Sequence, residues 1–337
     1  MTGVAWLYPT PKGLFCEPGD FFIDPYRPVD RAVITHGHAD HARPGHANVL
    51  ATPETLAIMA VRYGTSHAQS TQHLSYGEPI EIGGVRLQLA PAGHILGSAQ
   101  VVMDYRGHRA VVSGDYKRGG DPTCTPFEPV QCDVFVTEAT FGLPVFAHPP
   151  QSGEIAKLLH SIRVFPDATH LIGVYSLGKC QRLLALLRAA GYDAPVYLHG
   201  ALTELTNLYR RHGQSFGTLV PLAPDMKKDT AGSIVLCPPG SLADRWSRGF
   251  GDRITGVASG WMLIRQRAKQ RNVELPLVIS DHADWPELTQ TMTDVGCSTL
   301  WVTHGQGQED ALVHYAQSIG LQAAPLSLQG RGDEDAQ

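Results

Sequence analysis

Four potential metal ligands fall within six consecutive positions of this 337-residue chain, in the stretch Ile34-Thr35-His36-Gly37-His38-Ala39-Asp40-His41. His36 and His38 are two apart, so on one helix they would point roughly 200° away from each other. They suit a strand end or a loop instead. Residues 29 to 34, Val-Asp-Arg-Ala-Val-Ile, are apolar and β-branched enough to be the strand that delivers them. Residues 39 to 43, Ala-Asp-His-Ala-Arg, read as the beginning of a helix, where an acid in the first turn is favoured by the macrodipole. A lone H-x-H would be no more than a surface pair in a chain with 16 histidines. Three His and one Asp in such a space exceed what one tetrahedral cation with an open position can take, and the natural reading is two metals.

The rest of the composition narrows the class. A chain that is 43% hydrophobic and 18% charged can bury a sizeable core, in two domains or in one with a large insertion. Residues 1 to 10 lack a basic stretch followed by an apolar one, and no apolar run approaches bilayer length, so a cytoplasmic location is expected. Six cysteines lie scattered without a C-x-x-C pair, which predicts reduced thiols rather than a zinc ribbon or a disulfide framework. The net charge of -5 is unevenly spread: residues 150 to 272 hold 16 Lys+Arg against 8 Asp+Glu, while the remainder holds 11 against 24. That asymmetry suggests a polyanion-facing module joined to a metal-binding one. A merely solvated basic surface is the alternative.

Taken in order, residues 1 to 145 read as short strands separated by turns, with a helix near residues 53 to 63. Three segments, from Val85, Gln100 and Arg109, alternate or run apolar at hairpin spacing, with Arg106-Gly107 at a turn, and predict an antiparallel sheet. His94 follows the first and Asp115 the last. Asp24 closes an earlier strand. Spacing alone leaves His94 and Asp115 open as loop residues, although ligands gathered from several strand ends are what a layered α/β site needs. A further strand ends in Glu138, and alternating helix and strand then run until an apolar strand resumes before Asp281-His282-Ala283-Asp284. A final strand closes on His304. Two strand-glycine-helix turns, one with Ser176, Gly178 and Lys179 and one with Ser259 and Gly260 followed by Arg265, Arg267, Lys269 and Arg271, offer helix N-termini for phosphate, or simply connect α/β units.

The hexapeptide H-x-H-x-D-H resembles the signature of the metallo-β-lactamase fold. The later strand-acid, insertion, Ser-x-His-Ala-Asp and strand-His-Gly motifs resemble the β-CASP nucleases, a branch of that fold acting on nucleic acid. The resemblance implies a four-layer αββα metallo-β-lactamase domain at residues 1 to 148 and 273 to 325. An inserted α/β β-CASP domain would occupy 149 to 272, with an acidic, disordered tail at 326 to 337. It implies one divalent cation held by His36, His38, His94 and Asp115, and a second by Asp40, His41 and Asp115 with His304. The metals would be zinc, or manganese in its place. Ser176, Gly178, Lys179, Ser259 and Gly260 would contact substrate phosphates. Asp40 would orient a water activated by both cations, and Glu138 would hold His282 protonated as the acid for the leaving oxygen.

Within that branch the chain is similar to the bacterial ligase-associated DNA exonucleases in five phrases. These are Phe-Cys-Glu-Pro-Gly-Asp-Phe-Phe-Ile-Asp-Pro (15 to 25), Pro-Ala-Gly-His-Ile-Leu-Gly-Ser-Ala-Gln (91 to 100), Ser-Gly-Asp-Tyr-Lys-Arg (113 to 118), Thr-Glu-Ala-Thr-Phe-Gly-Leu-Pro (137 to 144) and Tyr-Ser-Leu-Gly-Lys (175 to 179). That likeness implies a DNA exonuclease working in repair alongside an ATP-dependent DNA ligase. His304 belongs to the RNA-processing pattern and makes a β-CASP ribonuclease the alternative. A non-catalytic nucleic-acid scaffold is disfavoured because such members lose ligands, and none is missing here.

Overall fold

The computed structural model describes residues 5 to 305 and 307 to 326. Apart from Leu326, the acidic tail expected at 326 to 337 lies outside them. The chain divides into two compact units, one running to Ala147 and resuming at His282, the other running from His148 to Asp281.

The first unit opens with a six-stranded sheet in chain order: β1 (Leu7–Thr10), β2 (Gly13–Cys16), β3 (Phe21–Ile23), β4 (Arg31–Val33), β5 (His46–Ala51) and β6 (Ala68–His73). Helix α1 (Pro53–Tyr63) lies between β5 and β6, and the hydroxyl of Thr52 caps it by accepting from Thr55 N. The strands β7 (Ile80–Ile82), β8 (Val85–Pro91), β9 (Ala99–Tyr105), β10 (His108–Val112) and β11 (Val134–Glu138) start a second sheet. As the alternation predicted, β8, β9 and β10 are antiparallel. Arg106 and Gly107, both at positive φ (49° and 79°), form the two-residue turn between β9 and β10.

The second unit is an α/β layer. Its strands β12 (Thr169–Gly173), β13 (Val196–Leu198), β14 (Leu219–Pro221), β15 (Ile234–Cys237), β16 (Arg253–Ala258) and β17 (Leu275–Leu277) form one wholly parallel sheet in the order β14-β13-β15-β12-β16-β17. Burial on both faces explains why β15 reads Ile-Val-Leu-Cys with no polar residue. Helices α2 (Gln151–Val164), α3 (Lys179–Ala189), α4 (Thr203–Arg211) and α5 (Arg265–Gln270) complete it. The sequence boundary at 272/273 and the observed one at 281/282 differ because β17 pairs with β16 and so stays with this unit.

Back in the first unit, α6 (Trp285–Val295), β18 (Thr299–Thr303), α7 (Glu309–Ser318) and β19 (Gln322–Pro325) extend the second sheet to β19-β18-β11-β10-β9-β8-β7. Successive residues of a strand enter different cores, as the pleat dictates. Val101 and Met103 join Leu14, Phe21, Ile23 and Val33 in the core between the two sheets. Val102, Phe135 and Leu300 instead meet Leu288 and Met292 of α6 and Leu312 of α7. On the outer face of the first sheet, Ala32, Ile34 and Val49 pack with Met59 of α1.

All six cysteines are free thiols, as expected. No helix among the described residues is long and apolar enough to cross a membrane.

Candidate metal centre

The loop after β4 carries His36, His38, Asp40 and His41. The helix expected from Ala39 onward is a single turn, closed by Ala42 N donating to His38 O at 2.7 Å. Pro44 lacks the N–H that would continue it, and Gly45 (φ 96°) redirects the chain into β5. His94 follows β8, Asp115 follows β10, Glu138 ends β11 and His304 follows β18. Strands β18, β11 and β10 are neighbours in one sheet and β8 lies one strand further on, across β9, so these ends gather along one edge of the sheet. Gly114 (φ 57°) allows this close approach, since a Cβ there would lie 2.7 Å from the Thr35 side chain.

Asp115 sits at the middle of the cluster. Its Oδ2 lies 3.3 Å from His36 Nε2, 3.2 Å from His41 Nε2 and 3.9 Å from His94 Nε2, while its Oδ1 lies 3.5 Å from His304 Nδ1. His94 Nε2 is 3.0 Å from His38 Nδ1, and Asp40 Oδ2 is 3.6 Å from His41 Nε2. Three groups of donor atoms, each within a 4.8 Å span, share the Asp115 carboxylate: His36, His38, His94 and Asp115; His41, Asp115 and His304; and Asp115, Glu138 and His282.

The electrostatics of this cluster are strained without a cation. Burial, with His41 beside it, pushes the His36 imidazole down to about 4. Burial acts the same way on His41, but the carboxylates of Asp115, Asp40 and Asp24 outweigh it and hold His41 well above the ordinary imidazole range. Burial would raise Asp115, and the surrounding histidines drive it well below the carboxylate range instead. Neighbouring rings in one dry pocket are thus pushed toward opposite charge states. His36 Nε2, His41 Nε2 and Asp115 Oδ1 are buried and make no hydrogen bond. Imidazole nitrogens and carboxylates converging with unused lone pairs fit a divalent metal.

The outer contacts set which nitrogen of each ring faces inward. Asp24, 1% exposed, accepts from Thr35 N (2.8 Å), Thr35 Oγ1 (2.7 Å) and His41 Nδ1 (2.7 Å). Because the Thr35 hydroxyl gives its proton to Asp24, it accepts from His36 Nδ1 at 3.0 Å. Both Nε2 atoms are left with lone pairs toward Asp115. The sequence reading placed Asp24 at a strand end and assigned it no role, and it passed over Thr35. The signal available was an acid between an apolar strand and Pro25; the positive φ (43°) at which it is held is seen only in the structure. An Asp24→Asn substitution should keep the fold, because the amide oxygen can still accept from Thr35 N. Its NH2 would face His41 Nδ1, force the proton onto Nε2 and remove that lone pair. Loss of such a partner typically lowers metal affinity roughly 10- to 100-fold. Zinc titration followed by calorimetry checks this, and unchanged affinity in a normally folded variant would refute the tautomer argument.

Glu138 and His282 form a second buried pair in the same unit, with His282 Nδ1 2.9 Å from Glu138 Oε2. The peptide of Tyr116, next to Asp115, positions both: its N–H donates to Glu138 Oε1 (2.7 Å) and its carbonyl accepts from Ala283 N (2.6 Å). Burial raises the Glu138 carboxyl despite the opposing influence of His282. With Nδ1 facing the carboxylate, the other ring nitrogen of His282 is Nε2. A carboxyl oxygen each from Asp115 and Glu138 lies within 4.8 Å of a His282 nitrogen.

The phosphate turns of the second unit need correction. Lys179 is fully buried and its ammonium donates to Asp281, so no free cation faces solvent there. Gly178 N donates to Gln181 Oε1 (2.8 Å), Lys179 N to Leu177 O (3.1 Å) and Cys180 N to Tyr175 O (3.1 Å). The donors a phosphate would use are therefore spent inside the turn, and only Ser176, half-buried, keeps some exposure. In the second turn the Ser259 hydroxyl accepts from Trp261 N (3.3 Å), and Ser259 and Gly260 are buried. Arg267 stacks on the Trp261 ring at 3.9 Å, whereas Arg265, Lys269 and Arg271 are exposed.

No family model matches the chain. Over 335 residues, 95% of the chain and 31% of the relative, it is 28% identical to a probable DNA ligase of Opitutus terrae. It is 25% identical to an RNase J-like protein of Methanocaldococcus jannaschii, over 54% of the chain and 50% of the relative. It is 29% identical to the endoribonuclease ysh1 of Aspergillus fumigatus, over 54% of the chain and 25% of the relative. The chain thus spans half or less of the length of these relatives. A solved structure of a protein of unknown function from Enterococcus faecalis shares the fold, with a TM-score of 0.63 at 12% identity over 90% of this chain and 80% of that one. Of these relatives, one carries the name of a ligase and two carry the names of ribonucleases.

Proposed function

We propose that the chain is a metal-dependent phosphodiesterase that shortens DNA from an end, in repair beside an ATP-dependent DNA ligase. The observation that carries the nuclease reading is the shared Asp115 carboxylate with histidines on both sides of it. The DNA reading is supported by the extent of similarity: the ligase-named relative matches 95% of the chain, the two ribonuclease-named relatives 54% each. The first unit is taken as a four-layer αββα metallo-β-lactamase domain, supported by its three successive cores, and the second as the β-CASP domain.

His36, His38, His94 and Asp115 would hold one divalent cation, and Asp40, His41, Asp115 and His304 the other. When bound, such a pair, zinc by choice of donors, supplies an activated water and neutralises charge on the phosphoryl oxygens. Asp40, 9% exposed at the rim of the cluster, accepts a hydrogen bond from the attacking water and orients it. Glu138 holds the Nδ1 proton of His282, and His282 Nε2 delivers a proton to the departing oxygen.

RNA hydrolysis is the second reading, favoured by the ribonuclease names among the relatives and by His304. Matched end-labelled oligonucleotides test the two: DNA should be degraded from an end at least as fast as RNA of the same sequence, and much faster loss of RNA would overturn the DNA reading. Binding should weaken with salt by about -0.7 in log K per phosphate neutralised on a single strand. A flat salt profile would remove the basic second unit from substrate binding.

A further inference from the structure

Lys179 is fully buried, Asp281 is 1% exposed, and the ammonium donates to Asp281 Oδ1. Helix stability does not account for this lysine, because it is the first residue of α3, where the macrodipole disfavours a cation. Overall stability accounts for it poorly, since a buried ion pair gains little over apolar side chains of the same volume. What such a pair does supply is fixed geometry. The turn that carries Lys179 is itself held: Gln181, also buried, accepts from Gly178 N (2.8 Å) and donates to Ser176 O (3.0 Å) and to Thr206 Oγ1 of α4 (3.0 Å).

The carboxylate at the other end of the pair belongs to the last residue of the second unit, and the peptide bond after it leads to His282. The segment before Asp281 is pinned as well, with Val278 N donating to Glu154 Oε2 of α2 at 2.7 Å. After His282, Ala283 N donates to Tyr116 O at 2.6 Å, and the His282 ring meets Glu138 at 2.9 Å. We propose that Lys179 is a positioning residue for His282: by holding the Asp281 carboxylate it fixes one flank of the proton donor, as Tyr116 fixes the other. With both neighbours held, the ring keeps only its side-chain torsions, and Glu138 settles those. The inference rests on the reading of His282 as the acid for the leaving oxygen. Its weight comes from distance, since a misplacement of about 1 Å costs on the order of 10²-fold in rate.

Lys179→Met alone would strand a buried carboxylate and endanger the fold. The test therefore uses the full chain with Lys179→Met and Asp281→Asn together, which removes the pair and both charges. Thermal melting and plasma emission spectroscopy should show a folded protein with wild-type metal. On end-labelled single-stranded DNA, kcat should fall roughly tenfold or more with KM unchanged, as expected for a general acid held less well. The deficit should shrink on a p-nitrophenyl phosphodiester. Added to His282→Ala, the two substitutions should cause no further loss, because a residue that acts only through the ring has nothing left to position. A double variant that fails to fold would assign the pair to stability and overturn the proposal. Loss of metal or a raised KM would overturn it too, by assigning the pair to the metal centre or to substrate contact. His282→Ala separates this inference from the reading beneath it. An equal deficit on both substrates in that variant would overturn the acid reading and this inference with it. A deficit that depends on the leaving group, with the full additional loss when Lys179 and Asp281 are also changed, would overturn this inference alone.

Discussion

Asp115→Ala protein is expected to purify with fewer metal equivalents than the wild type and with no measurable hydrolysis. The reason lies in the geometry: one carboxylate reaches His36, His41, His94 and His304, on both halves of the centre. In the proposed two-cation site its removal would take the shared anion from both cations and leave their mutual repulsion unscreened, where burial already disfavours charge. His304→Ala, by contrast, should weaken chiefly the half that contains His41. Plasma emission spectroscopy on the two purified variants separates these outcomes. A full wild-type complement of metal on Asp115→Ala would show that the carboxylate does not bridge.

His282→Ala should give the complementary result, with metal and nucleic acid bound normally and the rate lowered by roughly 10²- to 10⁴-fold, the usual range for loss of a general acid. Its Nδ1 faces Glu138, and in the proposed assignment the ring holds neither cation, so removing it should take no ligand with it. The deficit should shrink on a p-nitrophenyl phosphodiester, whose leaving group departs without a proton. An equal deficit on both substrates would place His282 in a structural role. Glu138→Gln should reproduce part of the loss, because Gln can still meet the His282 ring but cannot stabilise its positive charge.

How much of this was legible beforehand follows from sequence distance. His36, His38, Asp40 and His41 are dense enough to announce a metal site unaided. The strands from Val85 and Arg109 could be read because β8 and β10 each have faces in different cores. The helix expected at Ala39 failed because Pro44 and Gly45 end it after one turn. The turn with Lys179 looked like a phosphate site because its buried counter-ion, Asp281, lies 102 residues away. Nothing local distinguishes a lysine that reaches solvent from one sealed against a carboxylate.

The sequence by itself determined the ligand types, their order and the α/β pattern that carries them, since these depend on side-chain chemistry and on backbone periodicities of 2 and 3.6 residues. Only the tertiary structure decided which atoms meet. Asp24 reaches His41 across 17 positions and Glu138 reaches His282 across 144, and those contacts set the tautomer of one ring and fix which nitrogen of the other meets the carboxylate. Contacts of this kind arise from sheet order and burial, which depend on the whole chain folding at once and leave no mark at the positions they join.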